Sequence, residues 1–197
     1  MTPQELDKKL DDVISDIQGT PFGNIMAQIG QDALVTIRER VINTGVDADG
    51  QAYSAYSSKP MLSGCKNFIN KSACPAGSKA KRKTLNWVTL KKGDKNVRLY
   101  EIEGGYKEFR ELNGRQTGHV DFSLSGRMWQ NIKVVSKNDE HNAGVTRIAA
   151  TTDEDKAKLA GNTERRTDIL KLSVTEINQL SEDFGLRLTQ IFRNHGL

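Results

Sequence analysis

Residues 104–134, "GGYKEFRELNGRQTGHVDFSLSGRMWQNIKV", crowd Tyr106, Phe109 and Trp129, two Gly-Arg pairs and a His-Val-Asp step into one stretch. Two readings compete for it. If the chain is extended, His119 and Asp121 point to one side, so the carboxylate can orient the imidazole as a general base, with Ser123 or Ser125 as nucleophile. A nucleophile elbow needs Gly-x-Ser-x-Gly, however, and "SLSG" has other flanks. The second reading uses more of the residues. Gly118 makes a turn, and Asp121 or Ser123 caps a short helix at about 123–130. Leu124, Met128 and Trp129 form its apolar side, Gly126 lets another backbone approach, and Ile132 opens a strand. The catalytic reading explains two residues and the helix–strand reading explains five, so the stretch reads as a fold and assembly motif.

The flanking sequence extends that reading. Upstream, Leu6, Leu10, Val13, Ile14 and Ile17 recur at helical spacing behind Thr2-Pro3, and Ile25, Ile29, Ala33, Leu34, Ile37 and Val41 mark a second helix over about 22–43 that Gly45 stops. Asp47 and Gly50 mark a turn. "TLNWVTL" (84–90) and "NVRLYEI" (96–102) have strand composition around a Gly-Asp turn, and "NIKVVSK" with "GVTRIAATT" predicts a second hairpin. A short helix is expected at 106–112. Near the end, "DEDKAKLAGN" predicts a polar helix stopped by Gly161. Ser173 and Glu176 then form a capping box that opens a last amphipathic helix. The expected architecture is a single α+β domain, 1–197, in which one antiparallel sheet packs against long amphipathic helices and residues 59–83 form a basic loop insertion.

Composition narrows the function classes. From Lys59 to Arg98, eleven lysines and arginines face one acid, Asp94, a net +10; the whole chain carries +4, which leaves −6 elsewhere. A basic block on an acidic body suits contact with a polyanion or an acidic partner, and Lys79, Lys81, Arg82, Lys83, Lys91 and Lys92 are its candidate interface or DNA-channel residues. Basic residues upstream of Trp87 leave open a nucleic-acid-binding protein, although one tryptophan makes no stacking platform and no dedicated motif is present. The N-terminus has no apolar core of a signal peptide and no apolar run is long enough for a bilayer, so cytoplasmic synthesis is expected. In that compartment Cys65 and Cys74 read as free thiols. His119, His141 and His195 lack metal-ligand spacing, and neither metal nor cofactor is expected.

The order of these motifs resembles the phage virion morphogenesis family, the neck or tail-completion subunits of tailed bacteriophages. The features that carry the resemblance are the long helix before Asp47-Ala48-Asp49-Gly50, the Tyr53–Ser57 step, "FSLSGRMWQNIKV", and Arg166 with "LKLSVTEI". It implies a non-enzymatic virion subunit, assembled in the host cytoplasm into a homo-oligomeric ring of the head–tail connector. Its partners would be other neck, portal or tail proteins, with double-stranded DNA passing through the channel and no membrane. Tyr106, Phe109, Gly118, Leu124, Gly126, Met128 and Trp129 would be the fold and assembly motif. A small hydrolase around His119 and Asp121 remains the enzymatic alternative.

Overall fold

In the computed structural model, which describes residues 2–69, 74, 86–139 and 142–197, helix α1 (Pro3–Gln18) starts at a capping box. The Glu5 amide donates to the Thr2 hydroxyl at 3.2 Å and the Thr2 amide donates to the Glu5 carboxylate at 2.6 Å. Two backbone donors that the first turn leaves without helical partners are thereby satisfied. Helix α2 (Thr20–Glu39) continues through a π-helical turn at Arg40–Thr44 and ends at Gly45.

The chain packs as two compact units, one formed by Met1–Ala52 with Gly126–Leu197 and the other by Tyr53–Ser125. In the first, α2 is the central element. Its Ala33, Leu34 and Ile37 are buried together with Val41 of the following turn. Burial of a Leu, Ile or Val side chain contributes about 1.5–3 kcal/mol. The helix packs on an antiparallel hairpin, β4 (Ile132–Asp139) with β5 (Asn142–Ala150), in which Ile132 faces Ala150 and Val134 faces Ile148. Gly30 marks the crossing. A Cβ there would stand 2.9 Å from Val134 Cγ1 and would run into the Thr146 methyl, so α2 lies this close only because the position carries no side chain. The short α4 (Arg127–Asn131) leads into β4, and α5 (Asp153–Arg165) follows β5.

Helix α6 (Val174–Asn194) packs on α2 and opens with the Ser173–Glu176 capping box. Glu176 has a second role: Arg40 Nε donates to its Oε1 at 2.8 Å, while the other guanidinium nitrogens reach the carbonyls of Val46 and Lys171. One arginine thus ties the end of α2 to the Asp47 turn and to the start of α6. In that turn Asp47 Oδ1 accepts from the amides of Asp49 and Gln51, each at 2.9 Å.

In the second unit three antiparallel strands lie in the order β1-β3-β2, with β1 (Met61–Ser63), β2 (Trp87–Lys92) and β3 (Lys95–Ile102). Helix α3 (Gly105–Leu112) follows, and Phe68, Cys74, Tyr100, Ile102 and Phe109 form the core. Gly105 is required where α3 begins. Its φ is +64°, and a Cβ would collide with the backbone of Ser57 and Lys59.

The α+β class is as expected, with the antiparallel strands divided between two sheets. Several local expectations need correction. Helix α5 passes through Gly161 to Arg165, because a glycine ends a helix where it turns left-handed and Gly161 is not among the positive-φ glycines. Helix α4 starts at Gly126, in the left-handed region at φ +78°, and no side chain of Asp121 or Ser123 caps it. The stretch read as irregular from Lys59 holds strand β1, whose three residues are too few to show a period. Cys65 and Cys74 are not free thiols but a disulfide, their Cα atoms 5.4 Å apart. Among the described residues no helix is long and apolar enough to cross a membrane.

Candidate functional site

Two features of the second unit stand out, one buried and polar, the other exposed and basic. The buried one centres on Asp121. Helix α3 carries Arg110 on its inner face at 1% exposure, and the guanidinium spreads over three acceptors. Nη2 reaches Asp121 Oδ2 at 2.9 Å, Nη1 the Ser123 carbonyl at 3.1 Å and Nε the Gln116 carbonyl at 3.0 Å. Its central carbon lies 4.3 Å from the centroid of the Tyr56 ring. The Tyr56 hydroxyl donates to Asp121 Oδ1 at 2.8 Å and accepts from the Asp121 amide at 3.0 Å. Gln116 Nε2 donates to Oδ2 and the Ser123 amide to Oδ1, both at 2.8 Å. Four donors thus converge on one carboxylate, which fills the roughly four acceptor positions it offers.

The electrostatics follow from this packing. Burial pushes the Asp121 carboxyl upward, but the Ser123 amide, the Gln116 and Tyr56 hydrogen bonds and the Arg110 charge outweigh it, so Asp121 titrates below its ordinary 3.8. Burial raises the Tyr56 phenol well above its ordinary 10.0, keeping the hydroxyl protonated and donating. Between Asp121 and Ser123, Phe122 takes φ +51°, a left-handed conformation costing about 1–2 kcal/mol. The hydrogen bonds on either side hold it there, and its ring meets that of Tyr53 edge-on at 4.8 Å.

Of the residues singled out from the sequence, Asp121 is therefore the centre of the clasp. His119 is half-buried, and its amide and carbonyl bond the Gln116 side chain. Tyr56 was marked only as part of the Tyr53–Ser57 step, and Arg110 was missed, because a buried arginine looks like any helical surface residue until its partner is placed.

The motif residues divide between the units. Tyr106 and Phe109 lie on α3, with Phe109 against Phe68 at 5.0 Å and Tyr106 and Leu124 packed against the same core. Gly118 sits in an exposed bend. Gly126, Met128 and Trp129 belong to the first unit, where Met128 and Trp129 are buried and the Trp129 carbonyl accepts from Arg38 Nη2 at 2.8 Å.

The exposed feature is the β2–β3 hairpin. Every residue of β2 is exposed, and among the described residues no strand lies beside its outer edge. Trp87 is 53% exposed and Leu90 47%. Lys91 and Lys92 close the strand, Lys95 opens the return strand, and the Arg98 guanidinium lies 4.3 Å from the Trp87 ring centroid. The other basic candidates, Lys79, Lys81, Arg82 and Lys83, lie outside the described residues. Among the described residues no cluster of three or more His, Cys, Asp or Glu side chains is placed to hold a metal ion. No protein-family model, curated protein or solved structure matches the chain.

Proposed function

We propose that this protein is a structural, non-enzymatic virion subunit of a tailed bacteriophage, forming a ring in the neck or tail-completion complex. The observation that carries the reading is the β2–β3 hairpin. It presents Trp87, Val88 and Leu90 beside Lys91, Lys92 and Lys95 on an open strand edge, within a segment of net +10 on a body of −6. An open edge of this kind templates pairing with another chain unless it is covered in the assembled state. In a head-to-tail ring each copy offers one face to the next, and opposite charges on the two faces orient the contact.

Two further observations bear on this reading. The Asp121 carboxylate is committed to Arg110, Tyr56, Gln116 and Ser123, which leaves it poorly placed to orient His119 as a base. The Cys65–Cys74 disulfide suits a protein that persists outside the cell in a released particle, an oxidising setting.

The test is quantitative mass spectrometry of purified virions. A ring subunit is present at a fixed copy number per particle, and absence from virions overturns the proposal. A second reading, binding of nucleic acid by the basic segment, draws on the Trp87–Arg98 pair beside the lysines. It requires tight DNA binding by the isolated chain with a steep salt slope. Weak or absent binding is the result expected of a ring subunit.

A further inference from the structure

The three-stranded sheet of the second unit has two apolar faces. Successive residues of a strand point to opposite sides, so Ser63, Tyr100 and Ile102, all buried, line the core face. In the same register Leu62, Val88, Leu90, Val97 and Leu99 share the outer face. Leu62 is 45% exposed, Val88 38% and Leu90 47%, while Val97 and Leu99 are half-buried. The solvated face of an antiparallel sheet ordinarily carries polar side chains, and here it carries aliphatic ones. The charges of this face are polarised along the strands. Lys92 and Lys95 stand directly opposite each other at the turn end, where Lys91 joins them and Asp94 sits in the turn, and Glu101 lies at the other end. Facing like charges repel, so the lysine pair favours an anionic neighbour.

Helix α1 carries the matching pattern. Asp7, Leu10, Asp11, Ile14 and Gln18 follow helical spacing along one side, with Leu10 41% and Ile14 50% exposed. The other side is tied down. Val13 is buried, Lys9 Nζ donates to the Gly196 carbonyl at 3.1 Å, and Asp16 meets His195 Nε2 at 2.9 Å. Five acids against Lys8 and Lys9 leave α1 at a net −3. Helix α6 also exposes apolar side chains, Val174 and Leu186, but three acids against two arginines leave it at −1, and its Glu176 is already held by Arg40.

We propose that the outer face of the β1-β3-β2 sheet seats helix α1 of a second copy of the chain. Leu10 and Ile14 cover the aliphatic face, Asp7 and Asp11 meet Lys92 and Lys95, and Gln18 falls beside Glu101. The lengths agree. Asp7 to Gln18 rises about 17 Å along a helix, and Lys95 to Glu101 about 20 Å along a strand. Docked the other way round, Asp7 would confront Glu101, so charge selects one orientation while apolar burial supplies the affinity. Nucleic acid is the poorer occupant of this face, since phosphates would satisfy the lysines and leave the aliphatic side chains in water. Helix and sheet face are different surfaces, so each copy offers one of each, as a head-to-tail ring requires. The inference rests on the self-assembling reading above and names the surfaces that carry it.

Charge reversal with rescue tests it. Sedimentation velocity should show self-association of the wild type. Asp7→Lys with Asp11→Lys, or Lys92→Glu with Lys95→Glu, should each weaken it on the order of 100-fold, because each sets like charges against one another. All four changes in one chain restore opposite charges and should recover most of the association. A photo-crosslinker at Val88 of the otherwise unchanged chain should capture an α1 peptide of an isotopically labelled second copy.

The inference is overturned by reversals that leave association unchanged, or by a fourfold variant no better than either pair. Cross-links confined to single copies, or to elements other than α1, overturn it as well. So does a wild type that stays monomeric up to about 100 µM, well above ordinary interface affinities. If Lys92→Glu with Lys95→Glu abolishes duplex-DNA binding and leaves self-association intact, the face belongs to nucleic acid and the inference falls. Should a reversal variant melt early, the cross-link decides alone, since it alters no charge. The ring reading is judged separately, by copy number in virions, and stands after any of these failures if the subunit is found there.

Discussion

Asp121→Asn changes one atom of the clasp and should destabilise the second unit sharply. The carboxylate accepts bonds from Arg110, Gln116, Tyr56 and the Ser123 amide. An amide has one oxygen to offer. With that oxygen toward Arg110 and Gln116, its NH2 group confronts the Ser123 amide donor and the Tyr56 hydroxyl. Arg110, at 1% exposure, then lacks its counter-charge, and removing one partner of a buried ion pair costs about 3–5 kcal/mol. At roughly 2–4 °C per kcal/mol for a chain of this length, the melting temperature should fall by roughly 6–20 °C in calorimetry.

The pH dependence supplies a second readout. Asp121 is held below 3.8, so its contribution is fully present above that ordinary value and is lost as pH falls through the depressed folded value. The gap between wild type and variant should therefore be constant above about pH 5 and narrow below about pH 4. A variant melting within about 2 °C of wild type at neutral pH would refute the argument, since the clasp would then contribute less than a single ordinary hydrogen bond.

Three other outcomes are expected. Trp129→Ala, at a residue only 3% exposed, should cost about 3–5 kcal/mol in denaturant unfolding, and an unchanged midpoint would place the indole at a subunit contact instead. Alkylation of the oxidised protein should label neither Cys65 nor Cys74 until reductant is added, and the Cys65→Ser, Cys74→Ser double variant should lose about 2–3 kcal/mol, the value for so short a closed loop. His119→Ala should leave both folding and particle completion intact, since the His119 amide and carbonyl keep their bonds to the Gln116 side chain in the variant; particles that stall while the subunit itself remains stable would point back to a catalytic role.

Much of the fold was determined by local sequence. Helical spacing with Thr2-Pro3 and the Ser173–Glu176 pair specifies α1 and α6, and alternating β-type runs around Gly93-Asp94 specify the β2–β3 hairpin. These signals lie within a few residues of one another, so they survive without tertiary context. Side-chain roles that depend on distant partners did not. Arg110 and Tyr56 are 54 positions apart and meet only once α3 is packed. Asp121 looked like half of a catalytic pair because His119 is its sequence neighbour, whereas its hydrogen-bond partners include Tyr56, 65 positions away. The same limit explains the cysteines: compartment argued for free thiols, but only the packing of Cys74 into the aromatic core beside Phe68 brings it to Cys65. An apolar groove of the first unit is tertiary in the strictest sense. It is lined by α2, β5, α5, α6 and the residues between the last two, and no one of those segments marks it in the sequence.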